Sequence, residues 1–363
     1  MHLRALFAIS ILLHGCSDDA PTPSSPHLRD ATFGPLPSLP EWNDDPPTEA
    51  KEELGRLLFF DVRLSGSGNT NCDNCHTAIT RFQDSVMTAV PDRSYPLTSP
   101  RTNRNTTSLL NIVYAPILRW DGSSTDLVDA MVLPFSEANM NLGTDIPAAQ
   151  IALHGKITET LPEYVPLFEQ AFGMDPRTRS PADVYRMTGR ALAAFSRRMI
   201  SRDSAFDTWN AGDDEAMSAA AVRGFELFRG RARCASCHSG PFFTDFTFHN
   251  VSTSLPGPDG VREDEGRFVV TGSEKDHGAF LTPTLRSVVD TPPYFHNGKA
   301  AFLRSVIAHF GSNAALADPN HDPLLDSPIE ITAAENDDLV EFLRALRGAP
   351  LGDDVLAPPA MPP

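Results

Sequence analysis

Two pentapeptides of the form Cys-x-x-Cys-His constrain this chain more than anything else in it: Cys72-Asp73-Asn74-Cys75-His76 and Cys234-Ala235-Ser236-Cys237-His238. Cysteines three apart lie on one side of a helical turn. Both thiols can then add to the two vinyl groups of one porphyrin, and the adjoining histidine reaches the iron as its proximal ligand. The spacing predicts two covalently bound haem c groups, one on Cys72 and Cys75 with His76 on its iron, the other on Cys234 and Cys237 with His238. The cofactor supplies the hard chemistry, and the protein decides its use.

The competing use of these cysteines is a four-cysteine zinc site or a pair of disulfides. Neither explains why a histidine follows each pair, and the stretch from Cys75 to Cys234 is far longer than a zinc ribbon's. Of five cysteines, four stand in the motifs and the fifth is Cys16. An exported mature chain therefore has none left for a structural disulfide.

Arg4 precedes a short apolar stretch, Ala5 to Leu13, and then Leu13-His14-Gly15-Cys16. This resembles a bacterial lipoprotein signal, so residues 1–16 are expected to be a signal peptide, with Cys16 the lipidated first residue of a periplasmic, membrane-anchored protein. Attachment of c-type haem outside the cytoplasmic membrane points to the same compartment. Residues 17–47, rich in Pro, Ser and Asp and without apolar period, read as a tether. The net charge of −17 argues against nucleic acid, which needs a basic face. It suits a basic electron-donor protein.

The chain of 363 residues is long enough for two or three cores. It holds a diverged repeat: Leu54-Gly55-Arg56-Leu57-Leu58-Phe59 precedes the first motif, and Arg223-Gly224-Phe225-Glu226-Leu227-Phe228 the second. The expected fold is mainly α, with two cytochrome c-like domains, 48–210 and 211–350, each holding one covalently bound haem, joined by long irregular loops and ending in a tail, 351–363. A helix is expected over Val184 to Ser201, with Leu192, Phe195 and Met199 on one face. Thr332 and Glu335 form a capping box for a last helix, closed by Gly348 and Pro350.

Further blocks carry a resemblance. They are Leu54-Gly55-Arg56 through Leu58-Phe59-Phe60-Asp61-Val62-Arg63-Leu64-Ser65, Arg104-Asn105 through Leu110-Asn111, and Trp120-Asp121-Gly122. In the second half they are Gly240-Pro241-Phe242-Phe243-Thr244-Asp245, Phe248-His249-Asn250, Gly266-Arg267-Phe268, Pro283-Thr284-Leu285-Arg286 and Thr291-Pro292-Pro293-Tyr294-Phe295-His296-Asn297-Gly298. In order and spacing the chain resembles the bacterial di-haem cytochrome c peroxidases and their MauG-like relatives, the later blocks being closer to MauG-like and methanobactin-associated enzymes.

The resemblance implies that the N-terminal haem meets hydrogen peroxide and that the C-terminal haem stores or relays electrons, with Trp120 between them. It also implies a calcium ion held by the Asn105 side chain and the backbone carbonyls of Thr291 and Pro293, hard oxygen donors for a hard cation. Three departures stand out. No histidine lies between His76 and Arg104, so the first iron is expected to be open on its distal side.

In the distal pocket Pro134 matches the family proline, but Ala130 falls where a glutamine is usual and Asn139 where a glutamate is. Asn is no base, which leaves Glu137 as the nearby substitute. At the second iron, counting on from His296 reaches Phe310 in place of the usual Met or Tyr; Phe has no lone pair, and His309 points elsewhere on a helix. That iron is expected to be five-coordinate or to hold water.

The implied function is reduction of hydrogen peroxide with electrons from a small cytochrome or cupredoxin. The alternatives are a MauG-like oxidase that modifies residues of a partner protein and a non-catalytic di-haem electron carrier.

Overall fold

A glycine at the same place in each half lets two helices cross with their backbones in contact. The computed structural model describes residues 28–78, 81, 83, 104–257, 260–327 and 329–361. Its helices are α1 (Glu49–Phe60), α2 (Leu127–Val132), α3 (Ile146–Gly155), α4 (Tyr164–Phe172), α5 (Pro181–Ser196), α6 (Ala205–Asn210), α7 (Ala219–Arg229), α8 (Phe268–Thr271), α9 (Leu303–Phe310), α10 (Ala333–Ala345) and α11 (Asp353–Leu356). On α1, a Cβ added to Gly55 would stand 1.9 Å from the Ala191 carbonyl oxygen of α5. On α7, a Cβ at Gly224 would stand 2.0 Å from the Asp338 carbonyl oxygen of α10. The repeat seen in the sequence is thus a repeat of packing: α1 on α5, then α7 on α10.

Each crossing organises a core. The first gathers Leu54, Leu58, Phe59, Leu153, Phe168, Leu192 and Phe195. The second is aromatic, with Phe206, Phe225, Phe228, Phe243 and Phe342 packed mostly edge to face. Burying each such side chain contributes roughly 1.5–3 kcal/mol. A two-stranded antiparallel ribbon, β1 (Phe248–His249) on β2 (Phe280–Leu281), is the sheet among the described residues.

The helix expected over 184–201 runs instead from Pro181 to Ser196. Ser180 and Asp183 close a capping box and Pro181 fits the first turn, so the helix starts earlier. It ends before Met199, which nevertheless stays buried in the same core as Leu192 and Phe195. The expected Thr332–Glu335 box starts α10, which is not the last helix: the short α11 follows it.

The ends of the chain behave differently from a tether and a tail. Residues 1–27, with the signal and Cys16, lie outside the described residues. From residue 28 onward the expected tether is a packed strap. Phe33 is 2% exposed within the second, aromatic core. Arg29 donates to the carbonyls of Trp209 and Gly212. Further on, Arg197 at the end of α5 donates to the Pro40 carbonyl and lies over the Trp42 ring.

The C-terminal residues make the opposite crossing: Val355 is buried in the first core, Arg56 donates to the Ala357 carbonyl, and Arg198 pairs with Asp354. Thus the N-terminal strap fills the C-terminal core, and the C-terminal tail covers the N-terminal one. Composition suggested neither, because single apolar anchors in Pro-rich stretches have no period to detect.

Candidate haem sites

Both Cys-x-x-Cys-His motifs fold into the same tight turn. The Cys75 and His76 N–H groups donate to the Cys72 carbonyl at 3.2 and 2.8 Å; those of Cys237 and His238 donate to the Cys234 carbonyl at 3.3 and 2.9 Å. Asn71 and Asn74 cap the first turn reciprocally. The second is entered through Arg233 in the left-handed region, φ 54°. None of the four cysteines is engaged in a disulfide. Burial pushes Cys72 up to about 12, with Cys75 beside it adding to the effect, and burial pushes Cys234 up to about 12 as well. The four sulfurs do not converge on one metal site among the described residues; the cluster with metal-like spacing there is Cys237, Asp245 and His249.

A cavity of about 350 Å³ opens beside the second turn. Cys234, Cys237 and His238 line it together with Phe242, Phe246, Leu285, Ile307, Leu343 and Phe310. Apolar walls, two thiols and one imidazole on the same side are the donor set and surroundings a covalently held haem needs. His238 Nδ1 lies 2.9 Å from the Phe243 carbonyl oxygen, which leaves Nε2 as the nitrogen for an axial bond. Burial holds this histidine below its ordinary pKa, so it stays neutral, as a ligand must be.

Phe310, at the end of α9, faces this cavity. His309 is engaged elsewhere: its Nε2 lies 2.7 Å from the Val251 carbonyl oxygen and its ring meets Phe295 edge-on.

Trp120 sits on the seam between the halves. Its Nε1–H donates to the Asn105 carbonyl at 2.8 Å, and its own carbonyl accepts from the Leu281 N–H at 2.8 Å. Its ring meets His296 edge-on at 6.5 Å, and both line the cavity. Arg104 holds the seam by pairing with Asp121 at 2.6 Å and Asp264 at 2.7 Å; Arg267 donates to the carbonyls of Asp121 and Gly122.

The expected distal residues are placed apart from this cavity. Pro134 lies in a short helical turn, Leu133–Ser136, and its carbonyl accepts from the N–H groups of Glu137 and Met140. The Glu137 carboxylate is not idle at a helix end: Arg119 donates to both its oxygens, at 2.8 and 3.0 Å. Asn139 is half-buried in the turn that follows, and Ala130 is half-buried in α2. The chain between residues 84 and 103, which precedes these groups, lies outside the described residues.

Of the three residues expected around calcium, Asn105 and Pro293 are in contact. The Asn105 Nδ2 donates to the Pro293 carbonyl at 2.6 Å, and its Oδ1 accepts from Gln83 at 2.9 Å. Thr291 lines the same cavity, its hydroxyl bonded to the Val288 carbonyl. A cation there would need the amide turned by half, so that oxygen replaces nitrogen toward Pro293, and the Gln83 amide turned with it to keep their hydrogen bond.

Two histidines of the family-like blocks, given no role from sequence, are held in buried or charged surroundings. His249 is held between Asp322 at 2.6 Å and Asp245 at 2.9 Å. The Asp245–His249 spacing is visible in sequence, but Asp322 is not. His296 is 3% exposed, stacked on Phe280 at 3.5 Å, and burial pushes it down to about 4.

Comparison with known proteins accords with this geometry. The model of the di-haem cytochrome c peroxidase family matches residues 49–215. The chain is 35% identical to cytochrome-c peroxidase IdrP1 of Denitromonas iodatirespirans, over 90% of this chain and 89% of that protein. It is 33% identical to methylamine utilization protein MauG of Methylorubrum extorquens, over 88% and 84% respectively. Among solved structures, a MauG-like protein associated with microbial copper homeostasis superposes with a TM-score of 0.75 at 27% identity, covering 89% of this chain and 98% of that one. With this extent of similarity and two matching Cys-x-x-Cys-His turns, the chain belongs to the di-haem cytochrome c peroxidase and MauG family.

Proposed function

We propose that this protein is a di-haem peroxidase that reduces hydrogen peroxide to water with two electrons and two protons, the electrons coming from a small redox protein such as a cytochrome c or a cupredoxin. The observation that carries the reading is the pair of equivalent turns, each offering two thiols and a histidine, with Trp120 on the seam between the halves. When bound, the haem irons would supply the redox chemistry. The chain's part is to anchor them through Cys72, Cys75, Cys234 and Cys237, to ligate them with His76 and His238, and to keep an aromatic ring, Trp120, between the two halves. Turnover of peroxide by purified holoprotein with reduced cytochrome c tests the reading; two covalent haems and no turnover would defeat it.

A second reading is a MauG-like oxidase acting on residues of a partner protein. It is favoured by the lack of any histidine between His76 and Arg104 and by the similarity to MauG along most of the chain. A secreted partner that gains oxygen on Trp or Tyr only when both this protein and peroxide are present would establish it.

Periplasmic location with a lipid on Cys16 is part of the proposal. No helix among the described residues is long and apolar enough to cross a membrane. Calcium, on Asn105, Thr291 and Pro293, would replace the Asn105–Pro293 hydrogen bond; metal analysis before and after chelation tests it.

A further inference from the structure

Three consecutive carbonyls beside the second haem turn are each held by a different side chain. The Pro241 carbonyl accepts from Arg286 Nε at 2.5 Å, that of Phe242 from the Thr284 hydroxyl at 2.6 Å, and that of Phe243 faces His238 Nδ1 at 2.9 Å. Phe243 adopts φ 54°, in the left-handed region that a bulky residue avoids. Such a conformation persists only where its surroundings over-determine it.

Here the surroundings are a clamp. The Phe33 ring, from the N-terminal strap, stacks on the Phe243 ring at 5.0 Å and 20°. The Arg286 guanidinium, with a fully buried side chain, lies 5.7 Å from the centre of the same ring. Arg286 is itself fixed by two parallel bonds of 2.9 Å to Asp207 at the start of α6. Phe206, Phe228 and Phe342 close around the ring edge-on, at 5.2, 6.0 and 6.1 Å.

We infer that Phe33 and Arg286 are positioning residues for the axial ligand of the second haem, acting on His238 through the ring and the carbonyl of Phe243. The strap residue is far from the turn in sequence. Its effect is transmitted by the bulk of its side chain packed against the Phe243 ring. A hydrogen bond from Nδ1–H to a carbonyl makes an imidazole a more basic ligand, which favours ferric over ferrous iron. Loosening Phe243 should therefore raise the reduction potential of the second haem and weaken its iron–histidine bond.

The inference rests on His238 as the ligand of the second haem, and the two can be separated. Holoprotein carrying both haems is prepared as wild type, Phe33→Leu, Phe33→Ala and Arg286→Lys, and each haem's midpoint potential and ferrous iron–histidine stretching band are measured. Phe33→Ala and Arg286→Lys should raise the second midpoint and lower its stretching frequency, with the first haem unmoved; Phe33→Leu should retain most of the wild-type values. If Arg286→Lys fails to load the second haem, the Phe33 pair decides. A two-haem Phe33→Ala protein with wild-type midpoint and band overturns the inference. A His238→Ala protein whose second haem keeps its wild-type spectrum overturns the reading of the ligand, and the inference with it.

Discussion

Trp120 gives its indole proton to the backbone carbonyl of Asn105, 2.8 Å away, while its own carbonyl receives the N–H of Leu281 from the other half of the chain. The ring is therefore fixed from both sides of the seam. Trp120→Phe removes one hydrogen bond, a loss of about 1 kcal/mol, and keeps a flat ring in place. Both haems should be retained, and rapid-mixing spectra after peroxide should show slower electron exchange between them. An unchanged rate would place the relay elsewhere.

Glu137 is committed to Arg119, so it is a poor candidate for proton transfer at the first haem. Glu137→Gln should leave peroxide turnover nearly unchanged. Asn139→Glu should increase it by ~10²-fold or more, the usual contribution of a positioned acid-base group. A Glu137→Gln protein without activity would show that Glu137 leaves Arg119 during the reaction.

Phe310 faces the cavity beside the second turn and His309 turns to the Val251 carbonyl. The ferric second haem should accordingly be high-spin or water-ligated and should bind cyanide. Phe310→Met should shift it toward a low-spin six-coordinate spectrum, whereas His309→Ala should leave the spectrum as it is. A low-spin wild-type signal that vanishes in His309→Ala would reverse the assignment.

The crossed termini predict that damage at one end weakens the opposite domain. Val355 is 4% exposed in the N-terminal core, so Val355→Ala should cost about 1.5 kcal/mol, read as a lower unfolding midpoint in urea. Loss of the α1 and α5 signals before those of α7 and α10 in hydrogen exchange would locate the damage.

Acid should unfold the N-terminal domain partly through Asp61. Burial alone would raise this carboxyl, but hydrogen bonds from Arg63 and Tyr164 outweigh it and hold the carboxyl below its ordinary value. A group whose pKa is lowered in the folded state adds stability above its unfolded pKa, about 3.9, and that stability is lost as pH falls through the folded value. Asp61→Asn should remove roughly 2 kcal/mol near neutral pH and flatten the acid limb of a stability–pH curve. A parallel curve for the variant would mean that other carboxylates dominate.

Local chemistry was legible along the chain because it depends on neighbours in sequence. Cysteines three apart with a following histidine dictate the turn, the Thr332–Glu335 box starts α10, and the segments that hold Gly55 and Gly224 repeat ahead of each turn. Relations between distant residues were not legible, because nothing local records them. That Arg119 occupies Glu137, that Asp322 meets His249, and that the Phe33 ring lies on Phe243 follow only from how the two halves pack.

The strap and the tail show the difference most plainly. A Pro-rich stretch with one phenylalanine looks like a tether, since one apolar residue makes no pattern. The sequence by itself determined the two Cys-x-x-Cys-His turns and the helical repeat; only the tertiary structure decided what holds His238 in place, because one buried ring contributes its burial energy wherever the fold happens to enclose it.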